Sequence, residues 1–581
     1  IPEVFQLKLI SSPAASKQFK ILQKLMKSGT ELISATDAGR EGELIFRYIL
    51  SVTGLENRPF LRLWLSSLTE DAIAKAFQSL RPGSDYNALY QAAKCRSESD
   101  WIVGLNATRN FTVRYGRGGL LWSVGRVQTP VLAMIAAREE EITSFISKPF
   151  WELKTKYRDV LFSWKGERFL EESKAQELLR KIQDHPFRIL NIESKQEKIQ
   201  PPFLYDLTEL QKDMNKRYGF SAQETLEQAQ KLYEDKYISY PRTDSKYLST
   251  DMKKEMPSIL LALSKAKPKE VEPLNLQNLL YSTKIFSDEK VTDHHAIIPT
   301  GNIPSLFSKI FEAIVLRFIA AFYPSCIKNV TTVEGEAARE LFFVKGSQVL
   351  QPGWTVLLEK EKSKEEESLP LFTAQETGPH IPLIQEGKTE PPKHFTEATI
   401  LHAMETAGKK VEEEHLKEAL KQKGLGTPAT RAAILETLIR RNYIAREKKN
   451  IKITDLGRYL IALVQDPRLK SPELTGEWES KLKEIEQGRF SAEQFMKEIT
   501  EYTKAIIHKS DFPPVDPNRL GTCPLCQKDV IEGKRGYGCS AWREGCSFVI
   551  WKEYRQVSLT LYQIKRLLQQ KILLDPIMIS S

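Results

Sequence analysis

The chain has 581 residues, of which 41% are hydrophobic and 28% charged, so it can bury several cores and is not a disordered polyelectrolyte. Lysine and arginine number 85 against 75 acidic residues, and the net charge of +10 favours a polyanionic partner such as nucleic acid. No apolar run reaches the ~18 residues of a membrane span, and six cysteines are too few for a disulfide scaffold.

The first elements along the chain indicate an α/β arrangement. A short apolar run at 30–36 predicts a strand, 41–50 has helical spacing, and 60–65 predicts a second strand. Asp37 and Glu41 flank the turn between the first strand and the helix. Carboxylates placed there can converge where α/β sheets hold ligands, and two of them with waters suit Mg²⁺. The alternative is an ordinary, solvated helix start.

Residues 86–142 have a largely helical pattern that a glycine-rich stretch at 115–119 interrupts. This region carries residue types that bond to phosphates and base edges, and these predict a groove that binds a nucleic-acid backbone. Trp101 and Trp122 are candidate surfaces for base stacking, with simple packing as the alternative. The groove candidates are Arg96, Asp100, Asn106, Arg109, Ser123, Val124, Gly125, Arg126, Val127 and Gln128.

Two β-rich stretches, around 149–199 and 330–358, flank a mainly helical block of about 120 residues. This order predicts one domain built from two stretches, with another domain inserted between them. From Thr396 the pattern is helical again, and 443–454 predicts a hairpin that turns at 448–450.

Tyr240 lies within the segment Ser239-Tyr240-Pro241-Arg242-Thr243-Asp244. A tyrosine hydroxyl has a pKa near 10, so attack on a phosphate needs a base or neighbouring positive charge. Pro241 restricts the backbone of Tyr240, and Arg242 could hold phosphate oxygens. Downstream, one of the adjacent histidines His294 and His295 could hydrogen-bond a phosphate. The alternative is an ordinary loop for the tyrosine segment and a structural polar turn for the histidine segment.

Four cysteines, Cys523, Cys526, Cys539 and Cys546, fall within 24 residues. Four thiolates on two loops predict a tetrahedral Zn²⁺ site in a zinc ribbon, although the second pair is more widely spaced than the usual one. Arginine and aromatic residues around it suit single-stranded nucleic acid.

Taken together, these segments resemble the type IA DNA topoisomerases, and among them the topoisomerase III branch. The resemblance is carried, in chain order, by residues 35–43, 62–69, 100–109, 123–128, 239–244, 293–300, 426–431 and 472–475. It implies a multidomain α/β plus α+β fold in which the domains form a torus.

The implied domains are an N-terminally incomplete TOPRIM domain (1–82), a helical single-strand-binding domain (83–147 and 393–508), a β-rich arch (148–204 and 325–392), a catalytic tyrosine domain (205–324), a zinc ribbon (518–560) and a short tail (561–581).

The resemblance also implies the reaction. Tyr240, assisted by Arg242 and His294, would cleave single-stranded DNA through a 5′-phosphotyrosine, and the break would be resealed after strand passage. Negatively supercoiled DNA would be relaxed or linked DNA decatenated without ATP, consistent with the lack of a GxxxxGK[ST] loop. Asp37 and Glu41 would bind Mg²⁺.

The same resemblance implies a cytoplasmic monomer associated with a nucleoid or plasmid and not with a membrane. Its partners would be single-stranded DNA and a helicase or single-strand-binding protein.

Two departures from the family pattern keep other functions open. Family members begin about 60–70 residues before the position of Ile1, with a strand that carries a catalytic Glu and Lys, and Gly39 replaces the second Asp of the TOPRIM pair. One alternative is therefore a truncated, cleavage-deficient protein that binds single-stranded DNA. A TOPRIM primase is disfavoured by the tyrosine segment.

Overall fold

The computed structural model describes residues 2, 5–65, 70–115, 121–358, 368–410, 424–508, 520–554, 557–558, 564 and 567–568. The chain divides into two compact units, one comprising 1–65, 70–139 and 394–581 and the other 66–69 and 140–393. Residues 66–69, most of the glycine-rich stretch, the ends of the predicted ribbon and nearly all of the predicted tail lie outside the described residues. Among the described helices, none has the length and apolar character to span a membrane.

The first unit begins with a small α/β layer. Strands Ile33–Ser34 and Leu61–Arg62 are parallel, and Arg81–Pro82 pairs antiparallel with the second of them. Their helices are Pro13–Ser28, Arg40–Thr53 and Glu70–Gln78. A core of Leu32, Phe46, Leu50 and Phe60 holds the layer together. The predicted strand–helix–strand order is confirmed, with shorter strands than the apolar runs indicate.

The rest of the first unit is mainly helical. Its α-helices are Asn87–Tyr115, Gln128–Thr143, Glu397–Glu405, Pro428–Arg440, Asp455–Leu463, Glu473–Glu486 and Ala492–His508. Strands Ile444–Glu447 and Asn450–Ile453 form the predicted hairpin, which Phe395–Thr396 extends to three strands.

Trp122 belongs to this helical core. Its side chain is 2% exposed, and its ring stacks on Tyr443 at 6.3 Å between centroids. The Tyr443 hydroxyl accepts a hydrogen bond from the Ser123 amide (2.8 Å) and donates one to the Leu121 carbonyl (3.0 Å). The packing interpretation of Trp122 is therefore right, and base stacking by it is wrong.

The second unit contains a seven-stranded antiparallel sheet. Its strands, in spatial order, are Ile381–Lys388, Pro149–Tyr157, Val160–Trp164, Glu340–Gln351, Cys326–Ala337, Phe187–Ile199 and Thr377–Gly378. Phe187–Ile199 pairs with Cys326–Ala337 along nearly its whole length, so the two β-rich stretches form one sheet, as predicted. The helix Glu172–Gln183 interrupts the first stretch; its apolar residues Ala175 and Ile182 are fully buried.

The block between these two paired strands contains helices Leu207–Tyr218, Ala222–Glu234, Met256–Ser264, Pro268–Val271 and Lys309–Ala320. They enclose a core that includes Met214, Ile259, Ile314 and Phe318. Side chains of Asp206, Ser221 and Ser308 cap the helices that follow them. This core gives the tyrosine segment a rigid support.

Near the end of the chain, strands Gly521–Thr522, Asp529–Glu532, Gly536–Cys539 and Val549–Trp551 form an antiparallel sheet in chain order. A further short pair joins Glu553–Tyr554 to Val557–Ser558. The four-stranded sheet is the predicted ribbon.

Candidate functional site

The tyrosine and histidine segments are joined by backbone and side-chain hydrogen bonds within the second unit. The Ser239 amide donates to the Ile298 carbonyl at 2.9 Å. The Ser239 hydroxyl donates to the Ala296 carbonyl at 3.0 Å and accepts from the Ile298 amide at 2.9 Å. Because Ile298 and Ala296 are buried, these hydrogen bonds hold the tyrosine segment and the histidine segment in fixed positions.

As a result, the side chains of Tyr240 and His294 are in contact. Their ring centroids are 4.5 Å apart, and the ring of Tyr233 lies 5.3 Å from Tyr240 on an edge-on approach. The Thr243 hydroxyl donates to the His294 carbonyl at 3.0 Å, which holds the histidine backbone in place. Tyr240 is half-buried, and Arg242 is exposed with its Nε 3.4 Å from Gln230 Oε1. The structure therefore brings all three predicted catalytic residues into one segment pair.

The two adjacent histidines have different environments. Nδ1 of His295 lies 2.8 Å from the Ala296 carbonyl, and burial lowers the pKa of His295 below its usual value. Its imidazole is thus a neutral donor to the backbone. Of the pair, His294 is the one whose ring packs on Tyr240.

Asp37 and Glu41 are both exposed, Asp37 in the turn after strand Ile33–Ser34 and Glu41 in the first turn of helix Arg40–Thr53. Gly42 is essential to this turn, because a Cβ there would lie 2.2 Å from the Asp37 carbonyl oxygen. The Thr36 hydroxyl donates to the Gly42 carbonyl at 2.8 Å and closes the turn. Two exposed carboxylates on a fixed turn form an oxygen donor set that suits Mg²⁺ with retained waters.

A buried ion pair that sequence reasoning missed supports the turn. The Arg62 guanidinium, fully buried, lies 3.1 Å from the buried Glu43 carboxylate, and Arg47 is 2.9 Å from the same carboxylate. Burial lowers the pKa of Arg62, and the nearby Glu43 opposes this shift. Arg62 also donates to four carbonyls that shape the turn, those of Ser34 (3.1 Å), Thr36 (2.8 Å), Asp37 (2.5 Å) and Leu63 (2.8 Å). The available signal was an arginine inside the apolar run 60–65.

Arg126, predicted to contact DNA, has its charge satisfied within the protein. Its guanidinium is 3% exposed, and it donates to both Asp100 oxygens, at 2.7 and 3.0 Å. Although burial opposes it, the charge of Asp100 raises the pKa of Arg126, with a contribution from Glu479 at 3.5 Å. Its location corrects the prediction of a DNA contact: the Arg126 side chain is buried and paired within the protein.

Glu479, which sequence reasoning did not single out, is the centre of this network. It is buried and lies within 3.5 Å of Arg96 and 3.1 Å of Arg40, which also pairs with Glu486 at 2.8 Å. Arg40 begins the helix that follows the acidic turn. The network therefore connects the helix after that turn to Arg96 and Arg126 inside one compact unit.

The other groove candidates divide by exposure. Arg109 is exposed, while Asn106 is half-buried and donates to the Ile102 carbonyl at 2.8 Å. Gln128 donates to the Ser123 hydroxyl at 2.9 Å. Val124 is buried, and Gly125 and Val127 are half-buried. Val124 can therefore contribute to the predicted groove only through packing and its backbone.

The four cysteines of the ribbon converge. Their Sγ atoms all lie within 4.8 Å of one another, with 3.6 Å between Cys523 and Cys546 and 3.3 Å between Cys526 and Cys539. Burial opposes ionisation of Cys523, but backbone N–H groups lower its pKa to about 7. This arrangement can hold one metal ion, which confirms the predicted cluster.

Comparison with known proteins agrees with this geometry. A family model described as DNA topoisomerase matches residues 84–497. DNA topoisomerase 3 of Bacillus thuringiensis (strain Al Hakam) is 39% identical over 569 residues, covering 92% of this chain and 77% of that protein. The chain belongs to the type IA DNA topoisomerases. DNA topoisomerase 3 of Shouchella clausii (strain KSM-K16) is likewise 39% identical, over 91% of this chain and 76% of its own.

Full-length topoisomerase I from Thermotoga maritima has a similar fold, with a TM-score of 0.67 at 23% identity, covering 91% of this topoisomerase and 87% of that chain. The predicted family and fold class are thereby confirmed. The chain is a DNA topoisomerase, an isomerase, and the alternative of a protein that only binds single strands is not favoured.

Proposed function

We propose that this topoisomerase opens one DNA strand by attack of the Tyr240 hydroxyl on a backbone phosphodiester. The observation that carries the proposal is the 4.5 Å approach of the Tyr240 and His294 rings on two segments fixed by hydrogen bonds, with the exposed Arg242 two residues further on. A tyrosine held in place beside an imidazole, with an exposed arginine two residues further along the chain, has the elements that a phosphoryl-transfer nucleophile needs.

In the proposed step the Tyr240 Oη–phosphorus bond forms and the bond from phosphorus to the 3′-oxygen breaks. The phenolic proton leaves Tyr240, and the departing 3′-oxygen takes up a proton. Arg242 binds non-bridging oxygens, and His294 hydrogen-bonds the phosphate as negative charge develops. One phosphodiester replaces another, so the reverse reaction reseals the strand without ATP.

This proposal is tested by finding which side of the DNA break becomes joined to the protein. A single-stranded oligonucleotide labelled at its 3′ end should leave its label on the protein after denaturation, because the fragment downstream of the break carries the 5′-phosphate. The same oligonucleotide labelled at its 5′ end should release a free fragment with a 3′-hydroxyl. Label retained only from the 5′ end, or from neither end, contradicts the proposal.

Asp37 and Glu41 are the residues we propose to hold Mg²⁺, which would supply positive charge near a DNA phosphate. We expect Asp37→Ala with Glu41→Ala to slow strand rejoining by about 10–100-fold, while DNA affinity changes little because binding depends on the basic groove. Rejoining after a salt challenge and equilibrium binding measure the two effects. Glu31→Ala, at another exposed acidic position, is the control. Equal losses in rejoining and in binding would contradict the assignment.

The cysteine cluster is proposed to bind Zn²⁺. Four sulfurs at 2.3 Å from a tetrahedral zinc would be about 3.8 Å apart, close to the separations in the ribbon. We expect about one zinc per chain, lost in Cys523→Ser together with the fold of the ribbon, because a structural zinc contributes directly to folding. Elemental analysis and protease resistance of 520–554 measure this. Cys326→Ser, at a buried cysteine in the other unit, should keep its zinc. A Cys523→Ser protein with a full zinc content would refute the site.

For its substrate and setting, we propose single-stranded DNA held along the groove that Arg96, Asn106 and Arg109 line, in a monomeric enzyme associated with a nucleoid or plasmid. Relaxation of negatively supercoiled DNA or decatenation would follow from repeated cycles of cleavage, passage and rejoining. A helicase or single-strand-binding protein would supply the unpaired strand that the groove requires.

A further inference from the structure

The helix Pro13–Ser28 carries a row of lysines that the proposed cleavage chemistry does not use. Lys17, Lys20, Lys24 and Lys27 follow one another at intervals of three and four residues, so they form one stripe along the helix. All four are exposed, and the helix contains no acidic residue. We refer to these four residues as the lysine stripe.

The opposite side of this helix is attached to the protein. Met26 packs against the core of Leu32, Phe46, Leu50 and Phe60, and Phe19 and Leu22 on the same side are half-buried. The Arg58 guanidinium donates to the carbonyls of Met26, at 2.5 Å, and of Gly29, and so holds the C-terminal end of the helix. The lysine stripe is therefore presented to solvent on a fixed helix.

We propose that the lysine stripe binds the phosphate backbone of duplex DNA that adjoins the strand opened by the enzyme. Lys17 and Lys27 are ten residues apart, so the stripe is about 15 Å long. Along the axis of a duplex that length corresponds to about four base pairs, so the stripe can face a short run of backbone phosphates. The proposal rests on the proposed function, because it takes DNA cleavage to occur elsewhere on the protein.

Two features favour duplex DNA over other polyanions. Surfaces for single strands combine basic residues with exposed aromatic rings, but the one aromatic side chain of this helix, Phe19, lies on its packed side. A membrane-binding helix buries a whole apolar face in lipid, whereas here Met26 and its neighbours are packed on protein. Of the large apolar side chains of this helix, only Ile21 and Leu25 are exposed, 45% and 60%, and two such side chains are too few for insertion into lipid.

The test compares the salt dependence of binding to a single strand with and without an adjoining duplex. The variant replaces all four stripe lysines with glutamine, a residue with a helix propensity close to that of lysine. We expect the wild type to show a steeper slope of log K against log salt on the junction. The variant should lose about 0.9 of that slope per lysine, up to about 3.6, and keep its affinity for the single strand.

A second variant removes the same charge from four exposed lysines elsewhere, Lys195, Lys198, Lys265 and Lys269. An equal loss of slope in that variant would mean that net charge alone matters and would overturn the proposal. So would an unchanged slope in the stripe variant, a loss of single-strand affinity instead, or a loss of binding to anionic vesicles without a change on the duplex. Covalent cleavage of a short single strand, measured in parallel, should be unchanged; its absence in the wild type would refute the proposed function and leave the binding test valid.

Discussion

Replacement of Tyr240 with phenylalanine should abolish the covalent DNA adduct, by at least about 10⁴-fold, and leave single-strand affinity nearly unchanged. The substitution removes only the hydroxyl oxygen, which is the atom that bonds to phosphorus in the proposed step. The ring keeps its contacts with His294 and Tyr233, because both are ring contacts and need no hydroxyl. The measurement is the fraction of labelled oligonucleotide that stays on the protein after denaturation.

The matched control for this experiment is Tyr233→Phe. Tyr233 is a half-buried tyrosine whose ring lies 5.3 Å from that of Tyr240. It therefore has a similar environment, but we assign it no bond to phosphorus. The control should form adduct at a rate close to the wild type. If Tyr240→Phe retains the adduct while Tyr233→Phe loses it, the nucleophile has been misassigned.

Removal of the Arg62 side chain should be the most damaging change to the stability of the acidic turn. Arg62→Ala leaves the buried Glu43 carboxylate paired with Arg47 and removes the donor that serves four carbonyls. Loss of one partner from a buried ion pair typically costs about 3–5 kcal/mol. Hydrogen exchange of the amides in helix Arg40–Thr53 measures the local free energy of opening without assuming that the whole chain unfolds in one step.

Arg81→Ala is the control, because Arg81 stands directly opposite Arg62 on the neighbouring strand. Its ion pair with Asp85 is exposed, with the Arg81 side chain 62% accessible, so its loss should cost about 1 kcal/mol or less. Equal effects of the two substitutions would show that burial of the Arg62–Glu43 pair does not stabilise the turn.

Local sequence patterns predicted some elements of this chain correctly and were misinterpreted for others. The hairpin at 444–453 was predicted closely because a short polar turn between two apolar runs determines it. The helix Glu172–Gln183 was missed inside a stretch interpreted as strands, although its apolar residues Ala175, Leu178, Leu179 and Ile182 have helical spacing.

Site residues were predicted correctly where their partners are close in the sequence. The cysteine cluster was found because its four ligands lie within 24 residues. Arg126 was interpreted as a phosphate contact because arginine has that chemistry, but its partners are Asp100 and the sequence-distant Glu479. Only the tertiary structure brings Arg126 and Glu479 together. In the sequence, an arginine that is buried in an ion pair looks the same as an arginine that contacts DNA.

The most direct test of Tyr240 as the nucleophile is to locate the DNA on the protein. Trypsin cleaves after Lys236 and Arg242, so the adduct should be recovered on the peptide Tyr237-Ile238-Ser239-Tyr240-Pro241-Arg242 after nuclease trimming. Fragmentation in the mass spectrometer distinguishes Tyr240 from Tyr237. We predict a nucleotide joined through its 5′-phosphate to Tyr240. A nucleotide on Tyr237 or on any other peptide, or no adduct at all, would contradict the mechanism.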